Sequence, residues 1–220
     1  MTGLYKAVLF DMDGVLLDSE PLFLRAINDA LIEYGVDIIS HEENQDFLIG
    51  TTIVQTWERI KEVRDLDKTV EQLIIDYEHH VLAIFGGPLD ARPGVKDLVD
   101  FCRSSSIPIA VASSSQHRWI DIKLAAIGLT GVFDSIMGGD DVVNGKPDPE
   151  VYMRSAGRLG KTASECIAIE DSPVGVSSAV ASGAYTIAVK TDSTAGLDVS
   201  QANVLIDDLT YFDYQLLTAS

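Results

Sequence analysis

Residues Tyr5–Ser19 read YKAVLFDMDGVLLDS, in which a short apolar run leads directly into two acidic residues and a glycine. Four later runs have the same continuous apolar character, and helical patterns lie between them. Continuous rather than alternating apolar strands are typical of a parallel sheet that is covered on both faces. The alternation of strand and helix therefore predicts an α/β protein with a doubly wound, mainly parallel sheet. The predicted strands are Tyr5–Phe10, Ile107–Ala112, Ser135–Met137, Cys166–Glu170 and Tyr185–Lys190.

The stretch from Asp18 to Phe85 interrupts this alternation, because it carries helical patterns and no convincing strand. We predict two domains: a Rossmann-like core formed by residues 1–17 and 86–220, and an all-helical cap inserted as residues 18–85. An ordinary helical crossover is the alternative, and the length of the segment counts against it. The predicted helices of the insertion are Glu20–Tyr34, Thr51–Val63 and Lys68–Ile84, and those of the core are Pro93–Arg103, Gln116–Ile127, Pro149–Leu159 and Pro173–Ala181.

The composition argues against several classes of protein. The 220 residues include 34 acidic and 16 basic side chains, for a net charge of −18, and 46% of them are hydrophobic. A charge of this sign repels nucleic acid and anionic lipid, so we expect neither as a partner. The N-terminal residues do not resemble a signal peptide, and no apolar run approaches the roughly 20 residues that a membrane helix needs. We expect a cytoplasmic monomer in which Cys102 and Cys166 are buried free thiols.

Asp11 and Asp13 stand two residues apart, just past the carboxyl end of the first predicted strand. Open α/β sheets bind ligands at this place, and residues i and i+2 of an extended chain point to the same side. The repulsion between the two carboxylates is relieved if they bind a cation or if one carries a proton, an arrangement that suits a nucleophile beside a general acid/base. Gly14 permits a tight turn and a close backbone approach to a ligand. Taken alone, the motif also fits a solvated turn.

Three further segments carry side chains suited to a phosphate site, and each has a simpler alternative. Ser113 and Ser114 follow the second predicted strand and can hold phosphate oxygens, or they can only cap a helix. Lys146 offers a compact positive charge between turn-forming residues, or it is an exposed loop lysine. Glu170 and Asp171 offer the oxygen ligands that Mg²⁺ prefers, although Asp171 can also be an N-cap.

The four segments are more specific together than any one of them is alone. Each is expected at the carboxyl end of a predicted strand, so one edge of the sheet would gather them. They would supply a nucleophile, an acid/base, a hydroxyl, a cation and metal ligands, which are the parts that phosphoryl transfer needs. Because the chain as a whole is strongly acidic, a phosphate site in it must be locally positive.

In this order and spacing, four stretches resemble the four motifs of the haloacid dehalogenase-like hydrolase superfamily. They are DMDGVLLDSE at residues 11–20, VASSS at 111–115, GKPDPEVY at 145–152 and IEDSPVGV at 169–176. The resemblance covers nearly the whole chain, and the helical insertion resembles the C1 cap of that superfamily. The sequence is most similar to the beta-phosphoglucomutase-like phosphatases. This resemblance implies a Mg²⁺-dependent phosphatase that hydrolyses small phosphorylated metabolites, sugar phosphates above all, through an aspartyl-phosphate intermediate.

The resemblance also implies roles for individual residues. Asp11 would attack phosphorus, while Asp13 would protonate the leaving oxygen and then activate water. Ser113, Ser114 and Lys146 would hold the phosphoryl oxygens.

A magnesium site is implied in the same way. Asp11, the backbone carbonyl of Asp13 and Asp171 would bind Mg²⁺, with Glu170 in or next to the metal shell.

Two other functions remain open as alternatives. Beta-phosphoglucomutase carries a histidine where this chain has Phe23 and an arginine where it has Ile53, so a sugar-phosphate mutase is the weaker interpretation. A non-catalytic phospho-receiver also combines acids, a hydroxyl and a lysine around Mg²⁺, but Asp13 and the long insertion count against it. Gly50 and Thr51 resemble a cap loop that contacts substrate, and a plain loop with an N-cap is the alternative for them.

Overall fold

The core of the fold is a sheet of six parallel strands in the order β3-β2-β1-β4-β5-β6. The computed structural model describes residues 4–40, 42–44 and 52–218. The predicted α/β class with a doubly wound parallel sheet is confirmed. The strands are β1 (Ala7–Phe10), β2 (Ile109–Ala112), β3 (Ser135–Met137), β4 (Cys166–Glu170), β5 (Tyr185–Val189) and β6 (Val204–Ile206).

The central strands are buried on both faces, as their uninterrupted apolar sequences predict. Every residue of β1, β2 and β4 is buried. Phe10 of β1 is in register with Val111 of β2 on one side and with Ile169 of β4 on the other. Because the three strands run in the same direction, the residues that follow them lie at one edge of the sheet.

The sixth strand was not predicted from the sequence. Val204 and Leu205 are exposed, because β6 is an edge strand that pairs with β5 alone. A three-residue strand without a buried apolar run carries little sequence signal.

The helices lie close to their predicted bounds. Two of them begin with a capping box, a pair of hydrogen bonds between a threonine and the glutamine three residues later. The threonine hydroxyl accepts from the glutamine backbone N–H, and the glutamine side chain accepts from the threonine backbone N–H. The pairs are Thr52 with Gln55 and Thr69 with Gln72. In chain order the longer helices of the described residues are α1 (Glu20–Glu33), α2 (Ile53–Val63), α3 (Val70–Phe85), α4 (Val95–Ser104), α5 (His117–Ala126), α6 (Glu150–Arg158) and α7 (Pro173–Ser182).

The chain divides into two compact units. The larger comprises Met1–Asp18 and Pro88–Ser220 and contains the sheet, while the smaller comprises Ser19–Gly87 and contains α1, α2 and α3. In the smaller unit, Trp57 and Tyr77 are buried and pack edge to face, with ring centroids 5.9 Å apart. The role of this helical unit as a cap stays a prediction.

Within the part of the chain that the structure describes, no helix combines the length and the apolar character needed to span a bilayer.

Candidate active site

Three of the four sequence motifs follow neighbouring strands and lie at the same edge of the sheet. Asp11 follows β1, Ser113 follows β2, and Glu170 is the last residue of β4, with Asp171 directly after it. β1 lies between β2 and β4, so these side chains come from adjacent strands. In a sheet with this strand order, the carboxyl ends of the central strands form the crevice in which ligands bind.

Lys146 joins this group from the loop that precedes α6. Its Nζ lies 2.5 Å from Asp11 Oδ1 and 2.5 Å from Glu170 Oε1, and it donates a hydrogen bond to the carbonyl oxygen of Ala112 at 3.0 Å. Burial lowers the pKa of Lys146, but the carboxylates of Asp11 and Glu170 outweigh that effect, so the pKa is raised and the ammonium stays charged. Lys146 is therefore a buried cation rather than an exposed loop lysine.

Glu170 is buried, and both of its carboxylate oxygens accept hydrogen bonds. Oε1 accepts from the hydroxyl of Tyr152 at 2.8 Å as well as from Lys146, and Oε2 accepts from the backbone N–H groups of Asp171 at 3.0 Å and Ser172 at 3.3 Å. Burial and the charge of Glu170 raise the pKa of Tyr152 well above its usual value, so the phenol remains a donor. With these donors around it, Glu170 orients Lys146 and the turn that follows β4.

Asp11, Glu170 and Asp171 form a compact carboxylate group in which the ligand oxygens lie within 4.8 Å of one another. Two glycines make room for it: a Cβ at Gly14, where φ is +79°, would overlap the Asp171 carboxylate, and a Cβ at Gly175 would overlap Glu170. When all three carboxylates are ionised, the lysine ammonium beside them leaves two negative charges uncompensated. These residues fit a hard divalent cation, since it would bind oxygen ligands and balance that charge.

The pKa values of Asp11 and Asp171 are raised first by burial and then by the repulsion between neighbouring carboxylates. Burial raises the pKa of Asp11 from 3.8 to about 7; Lys146 opposes this shift, while Glu170 and Asp13 add to it. Burial, together with the charges of Asp11 and Glu170, raises the pKa of Asp171 from 3.8 to about 8. A bound cation would remove the repulsion, so proton and cation compete for the same oxygens.

Ser113 lies in the turn that leads from β2 to α5. Its backbone N–H donates to the carbonyl oxygen of Met137 at 3.0 Å, and its hydroxyl accepts from the backbone N–H of Ser115 at 3.1 Å. Ser114 is exposed in the same turn. The N-cap of α5 is Gln116, so neither predicted serine is the capping residue of that helix.

Asp13 is held by two side chains that the sequence analysis did not single out. Lys123 Nζ lies 2.5 Å from Asp13 Oδ1, and the hydroxyl of Ser115 donates to Asp13 Oδ2 at 2.9 Å. Lys123 belongs to α5 and shares its buried face with Ile120 and Leu124. Lys123 follows Ile120 by three residues and precedes Leu124 by one, which places it on the apolar face of the helix. This spacing is the sequence signal that could have identified Lys123 as buried.

The predicted substrate contacts Gly50 and Thr51 lie outside the described residues.

The structure brings Asp11, Glu170 and Asp171 together around Lys146, with Ser113 at the end of the neighbouring strand β2. Asp13 is contacted by a separate set of donors.

A second group of metal-ligand side chains lies at the start of α5. The ring of His117 approaches Asp141 Oδ2 at 2.5 Å, and its backbone N–H donates to Asp140 Oδ1 at 3.1 Å. Asp141 also accepts from the backbone N–H of Gly138 and pairs with Arg158. These contacts fix the helix start and the turn after β3.

Comparison with known proteins identifies the class to which this fold and site belong. Residues 8–189 match the family model described as haloacid dehalogenase-like hydrolase, a span that contains all the described site residues from Asp11 to Asp171. The chain belongs to this family, so the predicted family is confirmed.

Within this family, the chain is similar to individual proteins of known name or structure. Protein CbbY of Rhodobacter capsulatus is 30% identical over 93% of this chain and 94% of its own length. A phosphorylated carbohydrates phosphatase of Thermotoga maritima is 32% identical over 81% of this chain and 82% of its own length. A crystal structure of a CbbY mutant from Rhodobacter sphaeroides, in complex with xylulose-(1,5)bisphosphate, has a TM-score of 0.78 and 26% identity, covering 94% of this chain and 96% of that one. The prediction of a hydrolase of the phosphatase type is confirmed.

Proposed function

We propose that this chain is a Mg²⁺-dependent phosphatase that hydrolyses small phosphorylated metabolites, sugar phosphates above all, through an aspartyl-phosphate on Asp11. The observation that carries the proposal is the buried contact between Asp11 and Lys146 within the carboxylate group. A phosphate ester brings its own negative charge to Asp11. At about 4 Å and an effective dielectric constant near 20, one pair of like unit charges repels by about 4 kcal/mol, which the ammonium and a divalent cation would offset.

The residues that would hold Mg²⁺ are Asp11, Asp171 and the backbone carbonyl of Asp13. When bound, Mg²⁺ neutralises charge on the phosphoryl oxygens. The carboxylate oxygens of Glu170 already accept several hydrogen bonds, so we assign Glu170 to the position next to the metal shell, where it holds Lys146.

In the first chemical step, a carboxylate oxygen of Asp11 forms a bond to phosphorus while the bond from phosphorus to the ester oxygen breaks. Asp13 donates a proton to the departing oxygen, which leaves as an alcohol. Ser113, Ser114 and Lys146 bind the phosphoryl oxygens and keep phosphorus in line with the nucleophile.

In the second step, Asp13 is ionised and accepts a proton from a water molecule whose oxygen attacks phosphorus. The bond between phosphorus and the Asp11 oxygen breaks, which restores the Asp11 carboxylate and releases inorganic phosphate. Asp13 ends the cycle protonated and ready to donate again.

The choice of sugar phosphates is supported by what two relatives are named for: a phosphatase of phosphorylated carbohydrates and a CbbY complex with a sugar bisphosphate. We retain residues 18–85 as a cap, with Gly50 and Thr51 as substrate contacts. A mutase is the second candidate, because it would use the same nucleophile. Phe23 and Ile53 replace the histidine and arginine expected of such an enzyme.

The test measures phosphate release from a panel of sugar phosphates, with Mg²⁺ and with a chelator, for wild type, Asp11→Asn and Asp100→Asn. Asp100 is exposed on α4 and serves as a matched control. We expect release to require Mg²⁺, to fall by a factor of at least about 10³ in Asp11→Asn and to be unchanged in Asp100→Asn. Release that persists in Asp11→Asn would refute the proposal, and a rearranged sugar phosphate as the main product would identify a mutase.

A further inference from the structure

Lys123 is a buried cation on a helix face that is otherwise apolar. Its side chain is 2% exposed, and its neighbours Ile120 and Leu124 on the same face of α5 are buried. Withdrawing an ammonium from water costs several kcal/mol unless a partner compensates for it. Packing alone would favour an apolar residue at this position, so the lysine needs a reason other than packing.

The reason lies in its contact with Asp13. Lys123 Nζ lies 2.5 Å from Asp13 Oδ1 and 3.3 Å from the hydroxyl oxygen of Ser115, and that hydroxyl donates to Asp13 Oδ2 at 2.9 Å. The two oxygens of one carboxylate are thus held by two donors that also contact each other. One donor comes from α5 and the other from the turn after β2, so two elements of the core fix one side chain.

We propose that Lys123 is a positioning residue for Asp13, and that it acts with Ser115 to hold the carboxylate in one orientation during proton transfer. The inference rests on the proposed function, in which Asp13 delivers a proton to the leaving oxygen and takes one from water. Both transfers require the carboxylate within hydrogen-bond reach of a reacting oxygen. Without its donors, the side chain of Asp13, which is 35% exposed, samples other rotamers.

A positioning role and a purely structural role predict different results for Lys123→Met. Replacing one partner of a structural ion pair alters stability, whereas misplacing a catalytic group by about 1 Å can lower the rate by roughly 100-fold. Asp13 stays partly in water, so its charge remains solvated when the lysine is removed. We expect kcat to fall by about 10- to 100-fold and KM to change by less than about threefold.

The experiment compares kcat and KM of Lys123→Met, Lys123→Arg and Ser115→Ala with wild type, and uses Lys96→Met as the control. Lys96 is exposed on α4, so Lys96→Met makes the same change in charge away from the site. We expect partial recovery in Lys123→Arg, a loss of several-fold in Ser115→Ala and no change in Lys96→Met. If Lys123→Met does not fold, Ser115→Ala decides, because wild-type kcat in that variant would overturn the proposal.

A double-mutant cycle with Asp13→Asn shows whether Lys123 acts through Asp13. The probe is phenyl phosphate, whose leaving group needs a proton from Asp13, and the readout is the rate of phenol release in a single turnover. If Lys123 positions Asp13, then Lys123→Met causes no further loss in the Asp13→Asn background. Equal losses in both backgrounds, or a wild-type kcat in Lys123→Met, would overturn the proposal. A wild-type enzyme without Asp11-dependent phosphate release would instead mean that the proposed function itself is wrong.

Discussion

The hydroxyl of Tyr152 donates a hydrogen bond to the buried carboxylate that holds Lys146. It donates to Glu170 Oε1 at 2.8 Å and lies 3.3 Å from Lys146 Nζ, and both Tyr152 and Glu170 are buried. Glu170 in turn holds the ammonium that contacts Asp11. The position of the cation beside the proposed nucleophile therefore depends on a hydrogen bond to a third residue.

Tyr152→Phe removes this hydroxyl and keeps the ring. We expect a loss of about 1.5–3 kcal/mol in the free energy of unfolding, since a buried carboxylate loses a donor, together with a severalfold lower kcat. Urea unfolding and steady-state kinetics measure the two effects. Tyr211→Phe is the control, because Tyr211 is 66% exposed. Unchanged stability and kcat in Tyr152→Phe would show that the hydrogen bond does not hold the ammonium in place.

Site residues in turns and at strand ends were predicted from the sequence, whereas a site residue inside a helix was not. Asp11, Ser113, Lys146 and Asp171 stand directly after strands or in turns, where a polar residue beside an apolar run is visible in the sequence. Lys123 lies inside a helix, where a lysine is ordinarily a surface residue. Its spacing from Ile120 and Leu124 is a weak sequence signal, and its contact with Asp13 depends on the tertiary structure.

Helix α7, which follows β4, needs a glycine where it passes the carboxylate of Glu170. Gly175 lies in the first turns of α7, and a Cβ there would overlap the carboxylate of Glu170. Gly157 lies in α6, where a Cβ would meet no atom within 4 Å. The two helical glycines therefore form a matched pair with opposite expectations.

Gly157→Ala should raise the free energy of unfolding by about 0.5–1 kcal/mol, because alanine loses less backbone entropy in a helix. Gly175→Ala should lower both stability and kcat, because the carboxylate must move away from Lys146 to make room. Denaturant unfolding and phosphate release measure both variants. A stabilised and fully active Gly175→Ala would show that the place of Glu170 is not fixed by this helix.

The strands also differ in how well the sequence predicts them. β1, β2 and β4 are read correctly from sequence because a central parallel strand is apolar throughout. β6 escapes prediction because its apolar run is only three residues long and lies at the exposed edge of the sheet. The described helices match their predicted positions because caps and apolar spacing are local signals.

For the molecule as a whole, the raised pKa values of Asp11 and Asp171 couple folding to pH and to metal. Both values lie above the ordinary 3.8, at about 7 and about 8. The folded state therefore binds protons more tightly than the unfolded state does. This contribution to stability is fully present below the unfolded pKa and is lost as pH rises through the folded values.

Chelator-treated protein should therefore lose stability as pH rises from about 4 to about 8, and Mg²⁺ should restore it most at the alkaline end. Thermal unfolding with and without Mg²⁺ across this range measures the effect as a shift in Tm. Asp171→Asn is the control variant and should show a smaller dependence on pH and on Mg²⁺. A Mg²⁺-induced rise in Tm that is larger at acid pH would contradict the assignment of these carboxylates as the metal site.

The central claim is that Asp11 becomes covalently phosphorylated during turnover. The direct measurement is rapid acid quench of the enzyme with a sugar phosphate that it hydrolyses, borohydride reduction of the acyl phosphate, and peptide mass spectrometry. We predict that the peptide containing Asp11 carries homoserine in place of that aspartate, only when substrate and Mg²⁺ are both present. Reduction at another residue, or none at Asp11 while phosphate is being released, would contradict the proposed mechanism.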